Sequence, residues 1–97
     1  MAHDVFISYT IADKAAADAV CHRLEEAGIR CWIAPRDVGY GRDWAASIVK
    51  AIGEAKLFVL IFSAAANASP NVFDEVTTAL HAGATIIPFR IEDIFPT

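Results

Sequence analysis

Leu57-Phe-Val-Leu-Ile-Phe62 is an unbroken apolar run with Lys56 before it and Ser63 after it, and no other segment limits the possible folds as much. It falls far short of the ~20 residues a membrane-crossing helix needs. Being apolar at every position, it has no polar side to show to water. Read as a strand over residues 56–62, it is buried on both faces, as in the middle of a parallel sheet covered by helices above and below.

The flanking segments alternate in the way such a sheet requires. Residues 5–9 form a short β-rich run. Residues 13–27 place Ala16, Val20, Leu24 and Ala27 at helical spacing ahead of Gly28. Residues 30–33 read as a second strand, and residues 34–42 as a loop broken by Pro35, Gly39 and Gly41. Asp43 is placed to cap a helix whose Trp44, Ile48, Ala51 and Ile52 share one face and which stops at Gly53. Beyond the central strand, residues 63–67 read as a loop. Ser69-Pro70 then opens a third helix that runs to residue 82 before Gly83. Residues 85–91 are a fourth strand, and residues 92–97 have no regular pattern. The order βαβαβαβ, without repeats or a linker, implies right-handed crossovers and a doubly wound parallel sheet. If the strand order is the flavodoxin-like 2-1-3-4, the topological switch falls between the first and third strands, and ligands are expected beyond their carboxyl ends, at residues 10–13 and 63–69.

At 97 residues the chain holds one core, read as a single domain over residues 1–97. A domain of this size buries only about 60–65% of the surface its unfolded chain exposes, so association would add to its stability. Its 56% hydrophobic content is high for so small a monomer, and part of that surface is expected to meet another chain. Net charge is −4 and the eight basic residues are scattered, which excludes a basic stripe for nucleic acid. The N-terminus has no charged and apolar signal-peptide regions and no run is long enough to span a membrane, so the domain is read as cytoplasmic. Cys21 and Cys31 lie in elements expected to be buried and lack metal-ligand spacing. They are read as reduced core thiols, with no metal site.

Few residues are placed for chemistry. The first turn, Tyr9-Thr10-Ile11-Ala12-Asp13, contains no glycine, so neither dinucleotide nor P-loop phosphate cradle is present. Gly39-Tyr40-Gly41 follows the second strand and reads as a turn. His3 is terminal and His22 and His81 sit on helices as surface or boundary residues, leaving no hydrolytic triad legible. The third helix is more informative. Its apolar set Val72, Phe73, Val76, Ala79 and Leu80 fixes the side that faces the sheet, placing Glu75 at the edge of the stripe and Asp74 nearly opposite it, away from any cleft. A carboxylate at a cleft edge can stabilise the cation that develops when a glycosidic bond breaks. The same spacing equally fits a helix-edge glutamate that is merely solvated or favoured by the positive end of its helix.

DVFISY in the first strand, LEEAGIRCW at the end of the first helix, the loop APRDVGYG, the strand LFVLIFS, and SPNVFDEVTTALHAG followed by TIIPF together resemble a Toll/interleukin receptor (TIR) domain of bacterial type, over essentially the whole chain. The resemblance implies that residues 34–43 are the BB loop, which in this family mediates self-association and gates the ligand cleft; Pro35, Arg36, Asp37 and Gly41 match its pattern. Enzymatic TIR domains cleave the nicotinamide glycosidic bond of NAD, some cyclising the ADP-ribose product, with a glutamate of the third helix against the ribose. By position in NVFDEVTTAL that residue is Glu75. The motifs also carry over, as substrate-binding positions, Tyr9 and Thr10 after the first strand, Ile33 and Ala34 at the base of the BB loop, and Ser63 after the third strand. For Tyr9, strand-end packing with a solvent-facing hydroxyl is an equal alternative. NAD enters as substrate, and no cofactor is implied.

Two departures stand out. Many NAD-cleaving members carry a tryptophan four residues before the glutamate, where this chain has Asn71. Trp32, in a core strand, and Trp44, on a helix's apolar face, are not expected to replace it. Family members also usually continue into a fifth strand and a further helix, so the chain is read as C-terminally truncated. The resulting expectation is an NAD glycohydrolase or ADP-ribose cyclase of prokaryotic immunity and antiviral defence. It would act on self-assembly, with one copy's BB loop completing its neighbour's cleft and a fused or separate sensor domain supplying the trigger. A non-enzymatic TIR–TIR scaffold, or an inhibitor of TIR signalling, would use the same surfaces.

Overall fold

The computed structural model describes residues 3–38 and 43–91. The strands are β1 (Val5–Ser8), β2 (Cys31–Trp32), β3 (Leu57–Phe62) and β4 (Thr85–Arg90), all parallel, in the order β2-β1-β3-β4. The helices are α1 (Lys14–Glu26), α2 (Trp44–Glu54), α3 (Ala64–Asn67) and α4 (Pro70–His81), and a 3-10 turn at Ile11–Asp13 leads into α1. Because β2 lies on one side of β1 and β3 and β4 on the other, the winding reverses between β1 and β3. This is the flavodoxin-like switch point.

Strand pleating divides the core into two layers. Val5 and Ile7 of β1 and Val59 and Ile61 of β3 face α1, where they pack with Ala17, Cys21, Cys31 and Ile33. Phe6 and Phe58 face the other way, onto Ala51 and Ile52 of α2 and Ala79 of α4. Phe6 stacks between Trp32 (5.1 Å) and Phe58 (5.4 Å). A strand apolar at every position is thus buried on both faces, as the composition of β3 requires.

Several boundaries differ from the sequence reading. The β2 strand is two residues rather than four, because the N–H of Ile33 donates to the Asp37 carboxylate (2.9 Å) and its carbonyl accepts from Asp37 N (3.0 Å), removing both groups from the ladder. β1 ends at Ser8, one residue short of Tyr9. Gly53 lies inside α2 instead of ending it. The chain leaves that helix in extended conformation at Ala55 (φ −81°, ψ 145°), so no left-handed residue is needed there. Gly28 (φ +86°) and Gly83 (φ +76°) do end α1 and α4 in the left-handed region. The segment read as a loop at 63–67 contains the short α3, capped by Ser63, whose Oγ accepts from Ala66 N (3.0 Å).

The Ser69 cap of α4 forms as its sequence predicts, its Oγ accepting from Val72 N (3.3 Å) with Pro70 opening the helix. Ser69→Ala is expected to cost about 1 kcal/mol, read in thermal melts as a Tm lower by roughly 4–8 °C. An unchanged Tm would show that this bond adds nothing to α4.

Candidate active site

The carboxyl end of β1 is where sequence and fold bring polar chemistry to an otherwise apolar layer. Ser8 has the same strand parity as Phe6, so its side chain points toward α2 and α4 and is almost fully buried. From α4, Glu75 reaches back across the sheet end, and Ser8 Oγ donates to Glu75 Oε1 at 2.8 Å. Burial raises the pKa of Glu75 above its ordinary value; the Ser8 hydrogen bond pulls it down and the neighbouring charge of Asp74 pushes it further up.

Glu75 borders a cleft of about 270 Å³ whose walls include Phe6, Tyr9, Pro35, Trp44 and Asn71. Tyr9 contributes its ring to this wall. Its hydroxyl donates to the carbonyl of Ala34 and ties the start of the BB loop to the end of β1. A second hollow of about 280 Å³ shares Trp44, Asn71 and Glu75 and adds Asp74 and Thr78. The helical-wheel expectation that Asp74 lies away from any cleft is therefore corrected. Asp74 sits on the exposed side of α4 that turns toward α2, and it borders this second hollow.

The same apolar set on α4 needs a further correction. Val72 and Ala79 are buried, but Phe73 and Leu80 are 62% and 63% exposed, because α4 turns only the side centred on Val72, Val76 and Ala79 onto the sheet. Trp44 was expected on the buried face of α2. It stands at that helix's first turn, 52% exposed and inside the cleft wall.

Of the positions carried over by motif, Ala34 and Pro35 meet Glu75, Tyr9 and Asn71 in one cleft. Ile33 is buried in the α1 layer. Thr10 precedes the 3-10 turn, where its carbonyl accepts from Asp13 N (2.8 Å). Ser63 is fully buried. Its hydroxyl donates to the Asp13 carboxylate while accepting from Ala66 N, so both directions are used internally. That bond also staples the two switch-point loops together, and the cleft opens on the α2/α4 side of β1 rather than between them.

Arg36 and Asp37 of the BB loop are folded back onto the domain. Arg36 pairs two-pronged with Glu25 of α1 (2.8 and 2.9 Å), contacts Asp37 (2.8 Å) and donates to the carbonyl of Cys31 (3.1 Å). The hydrogen bonds that Arg36 donates hold the Glu25 carboxyl below its usual range, and its carboxylate acceptors, Glu25 and then Asp37, raise Arg36's pKa further. Pro35, between this anchor and the Tyr9 tether, lines the cleft on one side and the Arg36 hollow on the other. Gly41 lies outside the described residues. Cys21 and Cys31 are buried free thiols, and burial pushes Cys31 up to about 12, which leaves it unreactive at neutral pH. Among the described residues, no cluster of three His, Cys, Asp or Glu side chains is placed to hold a metal ion, and no helix is long and apolar enough to cross a membrane.

Strand order 2-1-3-4, a first turn without glycine, and a carboxylate delivered by α4 to the end of β1 define a flavodoxin-like domain that lacks a phosphate loop and carries an acidic group beside its switch point. The chain belongs to the TIR family: a family model described as TIR domain matches residues 5–97. Among solved structures, it is similar to the TIR domain of the Toll-related receptor TRR-2 from Hydra magnipapillata, with TM-score 0.86 and 23% identity over 96% of this chain and 74% of that one. It is similar also to the TIR domains of the activated Roq1 resistosome that directly recognises the pathogen effector XopQ (TM-score 0.82, 23% identity, 92% of this chain and 57% of that one). A metazoan TIR-STING receptor from C. gigas matches with TM-score 0.82 and 25% identity over 96% of this chain and 32% of that one. The first two likenesses carry the fold alone. No curated protein matches the chain.

Proposed function

We propose that this TIR domain cleaves the nicotinamide glycosidic bond of NAD, with Glu75 as the group that faces the cation developing on the ribose. The observation that carries the reading is Glu75 itself: a half-buried carboxylate, oriented by the Ser8 hydroxyl, at the edge of a cleft beyond the carboxyl end of β1. A fixed negative charge in a poorly hydrated site stabilises a developing oxocarbenium ion without forming a bond to it. Tyr9, Thr10, Ile33, Ala34 and Ser63 shape or support the surroundings of the site. The product is ADP-ribose or its cyclic form.

Self-association belongs to this reading. Pro35, Arg36, Asp37 and Gly41 are its contact positions, and a neighbour's BB loop completes the cleft. Membership of the TIR family, with a TIR-STING receptor among the similar structures, supports a place in immune signalling. The domain is proposed to be cytoplasmic, to act in prokaryotic antiviral defence, and to answer to a sensor domain, fused or separate.

The test is nicotinamide release from NAD by the wild-type domain, free and then clustered on a multivalent support. Release that rises with clustering density is the expected result. No release at any density would leave a TIR–TIR scaffold as the better account.

A further inference from the structure

The aromatic surface of the cleft is supplied from a position other than the one next to Glu75 on α4. One turn before Glu75 stands Asn71, which offers an amide and no ring. Across from it, Trp44 opens α2, where the Asp43 cap (Oδ1 accepting from Ala46 N, 3.1 Å) fixes the first turn. Trp44 shares both hollows with Asn71 and Glu75, so its indole borders the same space as the carboxylate. Below it on α2, Ala51 and Ile52 are buried at 2% and 1% exposure. At 52% exposure Trp44 itself keeps a large part of its ring in water.

Exposed indole faces attract two things, flat apolar rings and cations, and a flat ring that carries positive charge satisfies both. A carboxylate on the same cleft adds Coulomb attraction for the cation and none for a neutral ring of the same shape. We propose that Trp44 is the stacking residue of this cleft and that, together with Glu75, it selects a planar cationic heteroaromatic ring of the pyridinium class over its neutral counterpart. The inference rests on the NAD reading for the identity of the ring, and it adds the residue that recognises it. Trp44 positions the ring as a leaving group, and Glu75 faces the sugar from which it departs.

The test measures ring binding without turnover, using the N-methylnicotinamide cation and neutral nicotinamide as probes and ligand-observed NMR as the readout. The wild-type domain is compared with Trp44→Phe, Trp44→Leu and Trp44→Ala, each checked for a cooperative melt. The wild-type domain is expected to bind the cation more tightly than the neutral ring. Trp44→Phe keeps most of that affinity, whereas Trp44→Leu and Trp44→Ala weaken it by about 5- to 30-fold. Leucine preserves apolar bulk without a π face, so equal binding by Trp44→Leu and wild type would overturn the proposal. Equal affinity for the charged and neutral probes, or no binding of the cation by wild type, would overturn it as well. Ring binding that depends on Trp44 in a domain that never cleaves NAD would sink the proposed reaction and leave this inference standing; cleavage of NAD with ring binding indifferent to Trp44 would do the reverse.

Discussion

Nicotinamide release from NAD by the clustered domain is expected to fall by about 100-fold or more in Glu75→Gln, the scale on which removal of a preorganised charge or donor acts at a reacting centre. Gln keeps the size of the side chain and can still accept from Ser8 Oγ, so the cleft keeps its shape and loses its negative charge. Glu75→Ala is expected to lose as much activity and also to leave the buried Ser8 hydroxyl without its acceptor. A Glu75→Gln domain that released nicotinamide at half the wild-type rate under the same clustering would remove Glu75 from the reaction.

The raised pKa of Glu75 gives this substitution a second, independent signature. Folding favours the protonated form of a group whose pKa rises on burial. The stability that group contributes is fully present below its ordinary value of 4.5 and is lost as pH climbs through the raised value. Gln has no such loss. Glu75→Gln should therefore melt above wild type at pH 7, with the gap closing toward pH 4. Activity needs the carboxylate, so the acidic limb of the rate profile should lie above the ordinary glutamate range. In Ser8→Ala it should lie higher still, since the Ser8 bond is what lowers this pKa.

Why the fold was legible, and parts of the site were not, follows from what each depends on. Burial of β3 on both faces is written into six consecutive apolar residues, and a parallel, doubly wound sheet follows from the alternation of elements. The helix start at Ser69-Pro70 is a local signal satisfied by local bonds. By contrast, Ser8 looks like any strand-end polar residue until pleat parity sets it beside Phe6, facing α4. Ser63 shows a cap followed by three alanines. That was a usable helix signal, although its second bond, to Asp13, joins residues fifty positions apart. Hydropathy alone assigned Trp44, Phe73 and Leu80 to buried faces. Which part of an apolar stripe is covered depends on how many strands lie beneath the helix, and that is a property of the assembled sheet. For Arg36 the sequence offers only a place in the BB-loop pattern, and the packing of α1 against β2 is what brings Glu25 to it.

One substitution made at two phenylalanines separates hydropathy from burial. Phe58 is 0% exposed, lies on the central strand and stacks against Phe6. Phe58→Ala removes a ring from a layer held on both sides by packed helices and strand neighbours, and it is expected to cost about 3–5 kcal/mol. Against the roughly 5–15 kcal/mol that stabilises a typical domain, that lowers Tm by roughly 15–30 °C. Phe73→Ala removes the same ring from the outer side of α4, where alanine is also the better helix former, and it is expected to fall within about 0.5 kcal/mol of wild type. Thermal melts of dilute protein, compared side by side, check both. A Phe73→Ala domain destabilised as much as Phe58→Ala would mean that the outer face of α4 is covered in solution. A Phe58→Ala domain that melts within a few degrees of wild type would mean that the layer between the sheet and α2 and α4, on which the position of Glu75 depends, is far looser than its packing implies.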